Sequence, residues 1–252
     1  MACIKIERKY VLINKLNKEI TISNITRNPY YEDEYLFEKD QLTLTNQVTV
    51  FIGPNGYGKT TLVNMLKEAL EKDGAISFSN NAYSRNLAQA FELNEADKYK
   101  KNNASIGFIS YDSHADDYTN SISTSLVNNN MQQLLLRRES SEGENNLISL
   151  ADLFDNAQAV AKEHQNLEHL IIFVDGIDSG LSVDKIDFIV RNLDLKIKQV
   201  ESQNPNLNVA LIFTANHYEM VRNLPTIDPI TFEKISYNDY EEFQSDMINK
   251  AK

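Results

Sequence analysis

A glycine-rich segment that ends in a lysine and a threonine carries the clearest chemistry in this sequence. Residues 53–60 read Gly-Pro-Asn-Gly-Tyr-Gly-Lys-Thr and fit G-x-x-x-x-G-K-[ST] at each fixed position. Glycines let backbone N–H groups turn inward around an anion. The ammonium of Lys59 adds positive charge there, and the Thr60 hydroxyl is an oxygen ligand of the kind that Mg²⁺ prefers. The segment therefore predicts a loop that binds the phosphates of a nucleotide.

The flanking residues supply the elements that such a loop needs. The β-branched run Val48–Ile52 predicts a buried strand, and the apolar spacing in Thr61–Lys72 predicts a helix that Gly74 ends. The positive end of that helix would face the anion. A chance Lys-Thr after a glycine turn would require neither element. We therefore predict that ATP contacts a continuous set of residues: Gly53, Pro54, Asn55, Gly56, Tyr57, Gly58, Lys59, Thr60 and Thr61.

An acidic residue follows the most apolar run of the chain. Leu170–Val174 predicts a buried strand, and Asp175 comes directly after it. Ligands of α/β sheets bind at the carboxyl ends of strands. Asp175 is therefore predicted to hold Mg²⁺ through water, together with Thr60. The alternative is a turn carboxylate that caps the next helix.

Residues 175–182 read Asp-Gly-Ile-Asp-Ser-Gly-Leu-Ser. They resemble a stretch of the ABC-type ATPases, Asp-Glu-x-x-Ser-Gly/Ala-Leu-Asp/Ser. This family includes the heads of chromosome-maintenance and recombination-repair proteins, and the resemblance implies that residues 179–182 face a second subunit. The family's catalytic glutamate is Gly176 here, and glycine accepts no proton. Asp178 is the nearest candidate to replace it, so we expect slow hydrolysis or hydrolysis that needs a group from elsewhere.

Two further segments resemble elements of that family. Ser141, Gly143 and Glu144 resemble the signature Ser-x-Gly-Gln/Glu, which in the family binds the γ-phosphate of the partner's nucleotide; an ordinary N-cap explains them equally well. His217 follows the predicted strand Asn208–Thr214, where the family places a histidine that contacts the γ-phosphate. The alternative is an exposed histidine without a role. The family's glutamine after the second core strand is absent, and Asp112 is the nearest polar candidate there.

Strands and helices alternate from Val48 onward, which predicts an α/β fold with a mostly parallel sheet flanked by helices. Short strands before it, such as Cys3–Glu7, Glu19–Ile25 and Gln41–Thr45, predict an antiparallel β subdomain. The segment before the signature lacks sustained heptads, so we expect a compact head of the P-loop NTPase class without coiled-coil arms. The predicted layout is one ABC-type ATPase domain over 1–252: a β lobe at 1–47, the loop strand and helix at 48–75, a signature region at 76–165, and the acidic strand onward at 166–252.

Composition narrows the class of protein. The 252 residues are 42% hydrophobic and 24% charged, which is ordinary for a globular domain with a core. A net charge of −11 opposes nucleic-acid binding over the whole surface but leaves a local groove open. A lone cysteine, Cys3, excludes an intramolecular disulfide. No apolar run has the length of a membrane span, and the N-terminus lacks a signal core. We predict a cytoplasmic protein.

Three functions fit these observations. The first is an ATPase whose homodimer, closed around ATP and Mg²⁺, regulates a protein partner, as in bacterial defence or DNA repair. The second is a nucleotide sensor that does not hydrolyse ATP, which Gly176 favours. The third is the ATP-binding subunit of a transporter, although the Leu-Ser-Gly-Gly-Gln signature usual there is absent. We favour the first.

Overall fold

The computed structural model describes residues 15–30, 34–78, 105–112, 142–176, 178, 180–222 and 224–251. Its strands, numbered along the chain, are β1 Lys15–Ile22, β2 Leu42–Asn46, β3 Val48–Ile52, β4 Ile76–Phe78, β5 Ile106–Asp112, β6 His169–Asp175, β7 Asn208–Ala215, β8 Thr226–Ile227 and β9 Lys234–Ile235. Its helices are α1 Lys59–Lys72, α2 Glu142–Glu163, α3 Val183–Glu201, α4 Tyr218–Val221 and α5 Tyr240–Lys250. None of these helices combines the length and hydropathy that crossing a bilayer requires.

The described strands form a main sheet and a separate hairpin. The main sheet has the order β4-β5-β6-β7-β3-β8-β9, and its neighbours are parallel except for the antiparallel pair β8 and β9. β1 and β2 form a two-stranded antiparallel sheet of their own. The predicted α/β class, with a mostly parallel sheet and an N-terminal antiparallel sheet, is confirmed. The four segments proposed above for residues 1–252 stay a prediction.

The order of the sheet decides which residues meet at its functional edge. β7 lies between β3 and β6, with Ile52 paired to Ala215 and Val174 paired to Phe213. All three strands run in the same direction, so their carboxyl ends reach the same edge of the sheet. The loop after β3, Asp175 at the end of β6 and the residues after β7 are therefore neighbours.

Two apolar clusters, one on each face, fix the sheet. Val50 and Ile52 of β3 belong to the cluster that includes the buried side chains of α2 and α3. Phe51 points to the other face and belongs to the cluster with Leu62 and Leu66 of α1. Alternate side chains of β3 point to opposite faces, and both faces are buried. The strand therefore appears in the sequence as one continuous run of β-branched and aromatic residues. It also fixes the start of the following loop at Gly53.

Most predicted elements that fall in the described residues are present, with shifted ends. β3 matches Val48–Ile52, and α1 begins at Lys59, two residues before the predicted start. β1 ends at Ile22 and not at Ile25, because Asn24 takes a left-handed conformation with φ 60° that breaks the strand. The predicted strand Cys3–Glu7 lies outside the described residues.

The C-terminal helix also starts later than the sequence pattern indicated. The residue pattern at the C-terminal end predicts a final helix over Tyr237–Lys250, whereas α5 begins at Tyr240. The side chain of Asp239 accepts a hydrogen bond from the Glu242 amide at 2.8 Å and so acts as the N-cap. A cap at that position sets the first turn of the helix, which the apolar spacing alone does not reveal.

Candidate functional site

The glycine-rich loop joins β3 to α1 in the manner that its sequence predicts. Gly56 and Gly58 have φ values of 82° and 85°, a left-handed conformation that other residues rarely adopt. Gly58 is the residue before α1, so the helix and its unpaired amides begin at Lys59. Asn55 and Gly56 are exposed, while Gly53 is buried under the loop. The arrangement is a strand, an open loop and a helix N-terminus, which together attract an anion.

Lys59 is folded against its own loop. Its Nζ atom donates hydrogen bonds to the carbonyl oxygens of Gly53 at 2.7 Å and Pro54 at 2.9 Å. An ammonium group has three donors, so these two carbonyls do not exhaust it. Burial lowers the pKa of Lys59 below its ordinary 10.5, and the carboxylates of Asp178 and Asp175 act in the opposite direction. The lysine is therefore a desolvated cation, which interacts more strongly with phosphate than a cation in water does.

The remaining residues of the predicted loop line its mouth. Pro54, Tyr57 and Thr61 are partly buried, and Thr60 is exposed at the start of α1. Tyr30, which the sequence did not single out, places its hydroxyl 2.9 Å from the Thr61 hydroxyl. Its side chain is 61% exposed, so an aromatic face lies open beside the helix start. Its position came from tertiary packing, since residues 23–30 form no regular element.

Asp175 is held in place by a residue that sequence reasoning missed. Thr214, on the intervening strand β7, donates its hydroxyl to Oδ1 of Asp175. The same hydroxyl accepts a hydrogen bond from the Gly176 amide at 2.9 Å. Asp175 and Thr214 are both buried. The signal in the sequence was a single hydroxyl residue in the apolar run of β7, and its role follows from the strand order.

Asp178 is the most deeply buried acid near the loop. Its side chain has no exposed surface, and Oδ2 accepts hydrogen bonds from the amides of Asn216 at 2.6 Å and His217 at 2.9 Å. Oδ1 is buried and has no hydrogen-bond partner among the described residues. Asp178 thus ties the loop after β6 to the loop after β7. Its Oδ2 holds two backbone amides in place, and the role of Asp178 as a proton acceptor stays a prediction.

His217 lies where the sequence placed it, after the last parallel strand. Its residue is exposed, and its backbone amide is the one that Asp178 holds. Asp112 reaches the same edge of the sheet, since it pairs in register with Asp175 at the ends of β5 and β6. The fold therefore brings His217, Asp175 and Asp178 to one edge and leaves the imidazole accessible to a ligand.

The start of α2 packs against the loop that follows β6. A Cβ atom added to Gly143 would lie 2.3 Å from the carbonyl oxygen of Gly180, so a side chain does not fit there. Gly143 is buried and Glu144 is exposed. Ser141 lies outside the described residues. Packing within its own chain thus explains why a glycine stands at this position of the predicted signature.

The residues at this edge fit a magnesium ion held beside a triphosphate. Thr60 contributes a hydroxyl and Asp175 a carboxylate, the hard oxygen ligands that Mg²⁺ takes. In nucleotide sites, one or two protein ligands suffice, because water and phosphate oxygens complete the octahedron. The hydroxyl of Thr60 and the carboxylate of Asp175 fit this kind of site.

Comparison with known proteins gives a family and two distant structures. The chain aligns with a bacterial Atm1-family ABC exporter with ATP bound at 11% identity and a TM-score of 0.39, covering 96% of this chain and 43% of the exporter chain. It aligns with the pCW3 conjugation coupling protein TcpA, in monomer form with ATPγS, at 16% identity and a TM-score of 0.25, covering 77% of this chain and 55% of that one. The chain thus spans less than two thirds of either. No curated protein sequence matches it.

The family assignment rests on sequence. The family model described as ABC transporter matches residues 40–166, half of the chain, which includes β3, the glycine-rich loop and α1. The matched region ends just before β6, so Asp175 and His217 are placed by the fold and not by the match. The chain therefore belongs to the ABC family, as an ABC-type P-loop ATPase domain that binds nucleotide.

Proposed function

We propose that this protein binds ATP and Mg²⁺ at the loop of residues 53–61, dimerises around them, hydrolyses ATP slowly and thereby regulates a protein partner. The observation that carries the proposal is the geometry of the loop. Two left-handed glycines precede a helix that begins at Lys59, and the buried ammonium of that lysine lies on the carbonyls of Gly53 and Pro54. Backbone amides, a helix end and one desolvated cation are thereby directed to one place.

Each residue of the loop has a defined task in this proposal. The amides of residues 56–59 surround the β-phosphate, and Lys59 moves from the two loop carbonyls to the β- and γ-phosphate oxygens. The Thr60 hydroxyl and the Asp175 carboxylate hold Mg²⁺, which when bound offsets the charge that develops on the phosphates. Thr214 keeps the Asp175 carboxylate in a fixed orientation, and the exposed ring of Tyr30 offers a face to the base.

Slow hydrolysis follows from the backbone at Gly176. Its φ of 70° is left-handed, so glycine suits a conformation in which a glutamate would be strained by about 1–2 kcal/mol. The site therefore lacks the family's base for a conformational as well as a chemical reason. Asp178 does not replace it, because its Oδ2 is committed to two backbone amides. We assign Asp178 the role of holding the loop of His217, whose ring contacts the γ-phosphate.

The position of α2 supports a nucleotide shared between two subunits. Gly143 packs on Gly180, beyond the end of β6, which is two strands away from β3. With strands about 4.8 Å apart, the signature lies on the order of 10 Å from the loop of its own chain. We propose that Ser141, Gly143 and Glu144 instead approach the nucleotide bound by the partner subunit.

The biological role is proposed from the resemblance of the motifs to compact heads of the chromosome-maintenance and recombination-repair branch. We place the protein in the cytoplasm, as a switch in bacterial defence or DNA repair whose ATP-bound dimer engages an effector. The net charge of −11 makes a protein effector a better candidate than nucleic acid. Proteins that copurify with the chain in the presence of ATP would identify the effector.

The dimer is tested by light scattering of wild type and Lys59→Ala, with and without ATP and Mg²⁺. We expect the wild type to double its mass with nucleotide and Lys59→Ala to remain monomeric under both conditions. The partly buried Lys67→Ala, on the same helix, is the matched control and should behave as wild type. A mass that does not respond to ATP in the wild type would refute the proposed dimer.

Two other functions are separated by a turnover assay on position 176. Gly176→Glu introduces the missing carboxylate, and Gly176→Ala carries the same left-handed strain without it. An ATPase that lacks only its base should hydrolyse faster as the glutamate variant than as the alanine variant. A sensor without hydrolysis would show no turnover in wild type. A transporter subunit, which the family description favours, would copurify with a membrane protein.

A further inference from the structure

The phosphate loop is joined to the C-terminal helix α5 by a chain of polar contacts that are buried at its centre. Tyr57, in the middle of the loop, donates its hydroxyl to Oδ2 of Asp228 at 3.3 Å. The same oxygen accepts Lys250 Nζ at 2.9 Å, and Lys250 also pairs with Asp246 at 2.7 Å. Tyr237 donates its hydroxyl to Asp246 at 2.6 Å. The last turn of α5 is therefore linked to the loop through one carboxylate.

These contacts are shielded from solvent. The side chains of Asp228 and Lys250 are 6% and 13% exposed. Burial alone would raise the pKa of Asp228, but hydrogen bonds from Lys250 and from the amides of Thr231 and Ile230 hold it below its ordinary value. Burial, with the adjacent Asp228, raises the pKa of Tyr57 to about 12. The carboxylate thus stays charged and the phenol stays a neutral donor at physiological pH.

Tyr57 is well placed to control the shape of the loop. It lies between Gly56 and Gly58, which have little intrinsic conformational preference, so its side chain is an anchor for the middle of the segment. Its ring also packs on the loop's first residue, since a Cβ added to Gly53 would lie 2.4 Å from the ring carbon Cδ1. The position of the ring is therefore tied to Gly53, where the loop begins.

The turn that follows β8 makes a second contact with the loop. Asp228 Oδ1 accepts the amide of Ile230 at 2.8 Å, which fixes the turn. The Ile230 side chain lies beside Gly58, 3.4 Å from the position of an added Cβ. Elsewhere α5 is separated from the loop by a groove of about 340 Å³, lined by Pro54 and Asn55 on one side and by Phe243 and Met247 on the other. The polar link bridges elements that are otherwise apart.

We propose that Lys250 is a positioning residue for nucleotide binding, which acts through Asp228 and Tyr57 to hold the phosphate loop in its binding shape. The inference rests on the proposed function, because it concerns the ATP site. A loop that reaches its binding shape for a smaller fraction of the time binds with an affinity reduced by that fraction. Coupling is reciprocal, so bound ATP must in turn stabilise α5 in its position.

The test measures ATP affinity by titration with a fluorescent ATP analogue in wild type, Tyr57→Phe, Lys250→Met and the double variant. Coupling of ordinary size predicts a loss of about 5-fold or more in each single variant. Because both residues act through one link, the double variant should lose little more than the worse single variant. Lys250→Arg, which keeps the charge, should restore most of the affinity.

A matched control and a second measurement separate positioning from general stability. Lys198→Met breaks a pair of the same spacing with Asp194, four residues away on α3 and more exposed, and should leave ATP affinity unchanged. Hydrogen exchange of the α5 amides should slow on addition of ATP in wild type, and this response should be lost in Tyr57→Phe. Tyr57→Phe retains the ring, so the variant is expected to fold.

These measurements distinguish failure of the inference from failure of the proposed function. If wild type binds ATP and Lys59→Ala does not, but Tyr57→Phe and Lys250→Met bind as wild type and α5 exchange ignores ATP, the inference is wrong while the proposed function stands. If both variants lose thermal stability and keep wild-type affinity, the link is structural and the inference is again wrong. If wild type itself does not bind ATP, both the proposed function and the inference fail.

Discussion

Replacing Asp178 by asparagine should preserve ATP hydrolysis, whereas replacing it by alanine should reduce it. Asp178 is fully buried, and its Oδ2 holds the amides of Asn216 and His217 at 2.6 and 2.9 Å. The oxygen of an asparagine can accept both bonds, whereas alanine accepts neither. If Asp178 positions the His217 loop, asparagine preserves function and alanine does not. If Asp178 is a proton acceptor, both variants fail.

The expected stabilities follow from the same contacts. Hydrogen bonds to a charged group contribute about 1.5–3 kcal/mol each, but water can replace the carboxylate at residues 216 and 217, which are exposed. Removing the unpartnered Oδ1 also relieves a desolvation penalty of about 1–3 kcal/mol. We therefore expect Asp178→Ala to lose about 1–2 kcal/mol, which in a chain of this size lowers Tm by about 2–8 °C. Asp178→Asn should lose less than about 1 kcal/mol.

The assay is steady-state phosphate release under saturating ATP and Mg²⁺, with thermal unfolding measured on the same samples. We expect Asp178→Asn to retain turnover within about 3-fold, and Asp178→Ala to fall to the level of His217→Ala. The double variant with His217→Ala should be no slower than either single variant, since both changes remove one function. Loss of a general base costs about 10²–10⁴ in rate. A loss of that size in folded Asp178→Asn would refute the positioning role.

Three further predictions concern neighbouring residues. Gly143→Ala places a Cβ 2.3 Å from the Gly180 carbonyl oxygen and should lower the free energy of unfolding, measured by thermal unfolding, by about 1–3 kcal/mol. Light scattering should show that the variant no longer forms the ATP-dependent dimer. Equilibrium titration should show that the monomer binds ATP with unchanged affinity. Thr214→Val removes the hydroxyl that Asp175 and the Gly176 amide share, so it should weaken Mg²⁺-dependent ATP binding. Thr214→Ser keeps the hydroxyl and should bind as wild type. A valine variant with wild-type affinity would contradict the role of Thr214. Because burial lowers the pKa of Lys59, ATP affinity should fall at a lower pH than it would for a lysine with the ordinary pKa. Binding at alkaline pH should take up protons, which calorimetry in buffers of different ionisation enthalpy detects. A measurement that shows no proton uptake would refute this reasoning.

The sign of the pH effect follows from which form of Lys59 binds phosphate. The ammonium form binds, and the folded protein holds its proton less tightly than an exposed lysine does, because burial penalises the charge. The affinity is therefore fully present below the depressed pKa and is lost as pH rises through it. Lys59→Arg, which stays charged, should keep a flat profile over the same range at lower overall affinity, since its geometry differs.

The elements that carry the site were readable from sequence where the signal is local. The run Val48–Ile52 predicted β3 with its observed ends, because each of its residues is buried and β-branched or aromatic side chains suit a strand. The helix after the loop was predicted from its apolar spacing, and its start was missed by two residues because Lys59 and Thr60 are polar. The ends of β1 and α5 were missed for a related reason, since a left-handed asparagine and an N-cap set them.

The sequence by itself determined the phosphate loop, the acid at the end of β6 and the order of the elements, since each is encoded within a few consecutive residues. Only the tertiary structure decided which distant residues serve them. The insertion of β7 between β3 and β6 gives Asp175 its partner Thr214, and the pairing of β8 with β3 brings Asp228 to Tyr57 across 171 residues. The physical reason is that strand pairing and burial are global choices, made by the whole core at once, whereas a glycine turn before a helix is specified locally.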